Sequence, residues 1–252
     1  MAYFTDEEEV MRIWDKENCV QLINRHSYYY SSDMRREELD DLWVQHADNK
    51  KTASLAYNNG YYTGMDEIAR HYVGDRENEL YERLDKYIEA DKNITRTREN
   101  LGLGQAAMHT STTPLVYIAD DGKSARYLGY QLGYQAIGNP NSADEYMEFG
   151  LIFADLLKED GKWKIWHLVL EHDHTVEVGK AYADVPVKRS EDEDPLRRDW
   201  GEPTVKKDVY KPFFGWEYIY QDMPRPYDTY CDKESYGPLG DLGKPYYERE
   251  RR

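Results

Sequence analysis

The residues best suited to chemistry in this 252-residue chain are His109, Asp33 and Tyr28. A histidine exchanges protons near neutral pH because its ordinary pKa is about 6.5. His109 lies in Ala107-Met108-His109-Thr110-Ser111, where the two-residue period of a strand puts Ala107, His109 and Ser111 on one face. If that face is interior, the imidazole can remove a proton beside an activating group and assist a leaving oxygen. Asp33 would orient the ring, as an aspartate fixes an imidazole's tautomer. An aspartate between two helices equally suits a capping role. Tyr28 would donate a hydrogen bond to a substrate carbonyl and stabilise a developing enolate. Tyr30, two residues on along a helix, faces elsewhere, and any of Tyr28, Tyr29 and Tyr30 could serve as core.

Substrate contacts are sought on the strands that follow. Arg126, Leu128, Tyr130, Leu132 and Tyr134 share one strand face, with Gln131 on the opposite one; Trp166, Leu168, Leu170 and His172 share another. Tyr130, Tyr134 and His172 are the candidates for lining a pocket, with Tyr30 and Trp43 as further contacts. His167 replaces His172 if the register inverts, and periodicity alone does not say which face is inside. Glu171-His172-Asp173-His174 puts two imidazoles on one face, but two ligands are not a metal site. Gly102-Leu103-Gly104 is too short for a dinucleotide fingerprint and has no βαβ unit around it. The expectation is therefore no metal and no cofactor.

These side chains need elements to hold them. Thr5-Asp6-Glu7-Glu8 is a capping box, and the apolar residues Val10, Ile13, Trp14, Leu22 and Ile23 extend a helix to about Tyr30. A short helix over 35–43 and a strand over 53–57 follow, then a turn at Asn58-Asn59-Gly60. Thr63-Gly64-Met65-Asp66 opens another helix, and a charged one spans about 77–90. From Ala106 the pattern becomes that of strands. Two Asp-Gly turns, Asp120-Asp121-Gly122-Lys123 and Glu159-Asp160-Gly161-Lys162, separate apolar runs and predict hairpins. Helices first and an antiparallel meander second indicate an α+β fold.

Composition narrows the partners. A formal net charge of −16 opposes nucleic acid and anionic membrane surfaces, both of which need clustered Lys and Arg. No apolar run reaches the roughly 20 residues of a membrane span. The acidic start lacks the pattern of a signal peptide, and Cys19 and Cys231 read as free thiols of a cytoplasmic protein. Tyrosine is over-represented, 24 against 5 phenylalanines, which suits a surface meeting both rings and hydroxyls of a small molecule. Eight of the ten prolines lie between Pro186 and Pro245, interleaved with Trp200, Tyr210, Phe213, Phe214, Trp216, Tyr218, Tyr220 and Tyr227. Residues 1–180 thus form the domain, and 181–252 an extended arm packed on it or on a partner subunit. A homodimer is the default assembly and a homotrimer the alternative.

The order of these motifs resembles the SnoaL-like branch of the nuclear-transport-factor-2-like superfamily over roughly residues 8–175. The residues that carry the likeness are Tyr28-Tyr29-Tyr30-Ser31-Ser32-Asp33, Glu37-Glu38-Leu39-Asp40-Asp41-Leu42-Trp43, Gly64-Met65-Asp66-Glu67-Ile68, Met108-His109-Thr110 and Lys158–Ile165. The resemblance implies a cone-shaped barrel of N-terminal helices on a curved antiparallel sheet, with His109 as the pocket histidine. It implies a cofactor-independent lyase, a dehydratase or carbon–carbon lyase, acting on a hydroxylated aromatic or polycyclic molecule. Formaldehyde-releasing lyases of lignin-derived diaryl compounds are one such relative. An isomerase or cyclase, or a non-catalytic binding module, fits the same fold. The long charged helix and the C-terminal arm depart from the small cyclases.

Overall fold

The computed structural model describes residues 4–57, 60–180, 202–206 and 223–240. Helix α1 (Asp6–Ser31) begins at the capping box: the Thr5 Oγ accepts the Glu8 N–H at 3.3 Å, and Glu8 Oε2 accepts the Thr5 N–H at 2.7 Å. Its buried face carries Asp15, Cys19, Leu22, Ile23, His26 and Tyr30, spaced three and four apart as a helix stripe requires. Asp33 ends this segment with a left-handed φ of 51°, a conformation that aspartate tolerates better than most residues.

Helix α2 (Arg35–Leu42), helix α3 (Ala47–Thr52) and strands β1 (Ser54–Tyr57) and β2 (Gly60–Thr63) follow. Helix α3 and strand β2 were not expected, since each is too short to show a period. The expected turn residues Asn58 and Asn59 lie outside the described residues. Gly64, at a φ of 89°, and not Thr63, caps helix α4 (Met65–Ile68). That helix runs through a π-helical stretch, Ala69–Asp75, straight into α5 (Arg76–Ala90), so two expected helices form one. The wider turn leaves His71, Tyr72 and Val73 all buried.

Four long strands make most of the sheet: β3 (Gln105–Ile118), β4 (Ser124–Asn139), β5 (Ser142–Glu159) and β6 (Lys162–Glu177). With the short β7 (Val205–Lys206), the order is β3-β4-β5-β6-β1-β2-β7. All pairs are antiparallel except β1 with β6. The sheet is open, and register breaks at Thr112/Leu115, Phe149/Gly150 and Asp155/Leu156 let it curve around the helices. Leu55, Tyr62, Tyr127, Ile152, Ala154, Leu168 and Leu170 share the inner core with α1, α2 and Tyr72.

The outer face has its own cover. Tyr236 joins Ala56, Tyr61, Leu128, Leu151, Phe153 and Val169 in a second apolar cluster. Asp155 accepts the Tyr236 N–H at 2.6 Å, while Arg126 pairs with Glu234 at 3.0 Å and lies 4.1 Å from the centre of the Tyr227 ring. Residues 223–240 of the arm therefore rest on the sheet, whereas the rest of the expected arm, apart from 202–206, lies outside the described residues.

Toward the other end of the long strands the polarity is inverted. The inner face there carries buried His109, Gln131, Gln135 and Glu148. The outer face carries Met108, Tyr130, Leu132 and Met147, each 42–57% exposed. Tyr130 and Tyr134, expected in the pocket, thus share the outer face, because the strand places their alternate neighbours Gln131 and Gln135 inside.

Candidate active site

Four strands and one helix build the site. His109 on β3, Gly133 on β4 and Glu148 on β5 are direct cross-strand neighbours. Both the imidazole and the carboxylate are buried, and Glu148 Oε2 lies 3.7 Å from His109 Nδ1. His172 on β6 brings its Nε2 within 3.6 Å of the same oxygen. Gln131 and Gln135 flank the His109 ring, their Nε2 atoms 3.4 Å from Nδ1 and Nε2 respectively. Helix α1 closes over the ring. The Tyr30 ring meets it edge-on, and Ser31 Oγ accepts the His109 backbone N–H at 2.9 Å.

This arrangement suits proton transfer. A carboxylate near Nδ1 favours the tautomer with its proton there and stabilises the imidazolium once a proton arrives. Nε2 then holds the basic lone pair. In a site shielded from water, that charge stabilisation is stronger than at a surface.

A second histidine–carboxylate pair lies behind the first. Glu38 takes His26 Nδ1 at 2.9 Å, the Trp43 indole N–H at 3.1 Å and the Tyr72 hydroxyl at 2.7 Å. Burial beside the Glu38 charge drives the Tyr72 hydroxyl pKa well up, so it stays a donor. The Arg35 guanidinium lies against both the Tyr30 and Tyr72 rings, 4.7 and 4.6 Å from their centres, and those two rings stack with centres 6.2 Å apart. This network fixes the wall on which Tyr30 leans.

The expected site residues fall into separate places. His109, Tyr30 and His172 come together. Tyr28 is 78% exposed on the outer side of α1, as its helical offset from Tyr30 requires. Trp43 is fully buried and its indole nitrogen is used on Glu38, so it is core. Asp33 is gripped by Arg76 through two bonds of 2.9 and 2.8 Å, approached by Arg35 at 3.3 Å, and bonded by Gln105. It ties α1 to α5 and β3, and the carboxylate brought to the imidazole is Glu148. His167, the alternative to His172, lies on the outer face with Ser54 Oγ 2.8 Å from its Nδ1. The His174 side chain lies outside the described residues.

Glu148, Gln131, Gln135 and Gly133 were missed. One signal could have found three of them: Gly129-Tyr130-Gln131-Leu132-Gly133-Tyr134-Gln135 alternates small or amide residues with large apolar ones. Among the described residues no three His, Cys, Asp or Glu side chains group as a metal site, and no helix is long and apolar enough to cross a membrane.

An α+β cone with helices inside a curved sheet and a histidine–carboxylate pair on its concave face defines the class of protein. The model of the SnoaL-like domain matches residues 11–169, and the chain belongs to that family. No curated protein matches the chain by sequence. Among solved structures it is similar to a candidate scytalone dehydratase from Novosphingobium aromaticivorans DSM 12444, at 14% identity and a TM-score of 0.46, covering 68% of this chain and 97% of that one. It is also similar to hexachlorocyclohexane dehydrochlorinase LinA-type3 from Novosphingobium barchaimii LL02, at 12% identity and a TM-score of 0.46, covering 71% and 99%. An NTF2-like protein with a cystatin-like fold from Novosphingobium aromaticivorans gives 13% identity and a TM-score of 0.41, covering 73% and 95%.

Proposed function

We propose that this protein is a cofactor-independent lyase that acts on a hydroxylated aromatic or polycyclic small molecule, with His109 as general acid/base. The observation that carries the reading is the buried imidazole with Glu148 Oε2 3.7 Å from its Nδ1 and the Tyr30 ring against it. His109 Nε2 removes the substrate proton, Glu148 stabilises the imidazolium, and the same proton returns to the departing oxygen, which leaves as water or as an alcohol group. The test is incubation of the purified protein with a panel of hydroxylated aromatic compounds, analysed for eliminated product. His109→Ala should lower turnover about 10²–10⁴-fold. Equal turnover by the variant would remove His109 from the mechanism, and a rearranged product of unchanged mass would replace elimination with isomerisation or cyclisation.

The protein is further proposed to form a homodimer through the outer face at Met108, Tyr130, Leu132 and Met147. An apolar row on the outside, opposite a polar one inside, favours cover by another surface. In a chain of net charge −16, these uncharged residues are where a second copy can approach with least repulsion. Light scattering should give twice the chain mass, and Leu132→Glu the single mass; a monomeric parent protein would end this reading.

A further inference from the structure

We propose that Gly133 is a positioning residue: its missing side chain is what allows His109 and Glu148 to meet. The two belong to strands β3 and β5, one on each side of β4. With adjacent strands nearly 5 Å apart, their Cα atoms are separated by about 10 Å. They face each other across the rung that has Gly133 at its centre. A side chain there would stand between them. A Cβ built on Gly133 would lie 2.9 Å from His109 Nδ1, 3.1 Å from His109 Cε1 and 3.2 Å from Glu148 Oε2. Every one of these contacts is with the pair itself, and the first is closer than real Cβ atoms come.

The backbone gives no other reason for glycine at this position. Gly133 is not among the residues with positive φ, so alanine can adopt its conformation. In a strand interior glycine is otherwise unfavourable, since it adds chain entropy and packs nothing. The rung accepts that cost at the point where an imidazole passes close over Gly133 to reach a carboxylate two strands away. Adding a methyl group moves the ring off Glu148 and removes the charge that stabilises the imidazolium.

The inference rests on His109 and Glu148 forming the working pair, and its test reads the pair without any substrate. The His109 ring protons are titrated by NMR in four full-length proteins: the parent, Glu148→Gln, Gly133→Ala and the double variant. In the parent background Glu148→Gln should lower the His109 titration midpoint by about one pH unit or more, since an opposite charge at this range favours the charged imidazole. In the Gly133→Ala background it should produce no shift. An equal shift in both backgrounds overturns the proposal. Should Gly133→Ala not fold, His109→Ala removes the closest contact, and Gly133→Ala/His109→Ala should then fold and melt as His109→Ala does. If alanine at 133 is as damaging without the imidazole as with it, the glycine serves the backbone and the proposal fails. Turnover enters neither comparison, so a missing substrate cannot be mistaken for a failed pair.

Discussion

The Tyr30 ring stands edge-on to the His109 imidazole, with centroids 4.5 Å apart and an interplanar angle of 86°. The same Tyr30 ring also packs against the Arg35 guanidinium, so one ring joins the imidazole to a buried cation. Tyr30→Leu removes both contacts and should lower stability by about 1–3 kcal/mol in urea unfolding. Tyr28→Leu, on an exposed position, should change it by less than about 0.5 kcal/mol. Equal losses at the two sites would show that the order of the tyrosines on α1 is misread.

Glu148→Gln keeps the shape of the side chain and removes its charge. If Glu148 stabilises the imidazolium, turnover should fall about 10²–10⁴-fold while the protein remains folded. The pH at which activity rises should move down together with the His109 pKa. Circular dichroism checks the fold, and the pH–rate profile separates this role from a structural one. An unchanged profile would leave His172 or another group as the partner of His109.

What the sequence disclosed and what it hid follow from the kind of signal each feature sends. The capping box at Thr5 and the Asp-Gly turns are local, so α1 and the long hairpins are readable one segment at a time. The inside of the sheet is not. Alternation separates Tyr130, Leu132 and Tyr134 from Gln131, Gly133 and Gln135, but says nothing about which set faces the helices. The usual bias places apolar residues inside, and here it misleads, because the concave face at the site end is polar. Glu148 is hidden for another reason. It lies in a strand start that reads as polar, Ser142-Ala143-Asp144-Glu145-Tyr146-Met147-Glu148, and only the register across three strands brings it to His109. His109 is singled out by its motif and the family resemblance, while Asp33, read as its orienting partner, is bonded by Arg76 instead.

Asp33 is expected to matter for stability. Its carboxylate neutralises the Arg76 guanidinium, which is itself buried, and joins Arg35 and Gln105 across three elements. Asp33→Ala leaves the buried Arg76 with Glu79, 3.1 Å away, as its remaining carboxylate and should cost about 1–3 kcal/mol. Chemical denaturation measures the loss. A variant with parental stability and abolished turnover would return Asp33 to the catalytic machinery.

The outer face contains two titrating groups whose effects oppose each other. Burial pushes the Asp155 carboxyl up to about 7, and burial pushes His167 down to about 3. They are cross-strand partners, with residues 235–237 of the arm packed against both. Between pH 3.8 and 7 the folded protein holds a proton on Asp155 that the unfolded chain has released, so this group makes stability fall as pH rises. Between pH 3 and 6.5 the unfolded chain holds a proton on His167 that the folded protein lacks, so this group makes stability rise with pH. Each slope is about 1.4 kcal/mol per pH unit, and across the shared window from 3.8 to 6.5 they cancel. His167→Phe removes one of the two. It should cost about 1 kcal/mol near pH 7 through the lost bond to Ser54. Relative to the parent protein, the variant should then gain stability steadily on acidification from pH 6.5 to 4. Urea unfolding at half-unit pH steps measures the difference, and a constant gap between the two proteins would mean that His167 is not held neutral in the fold.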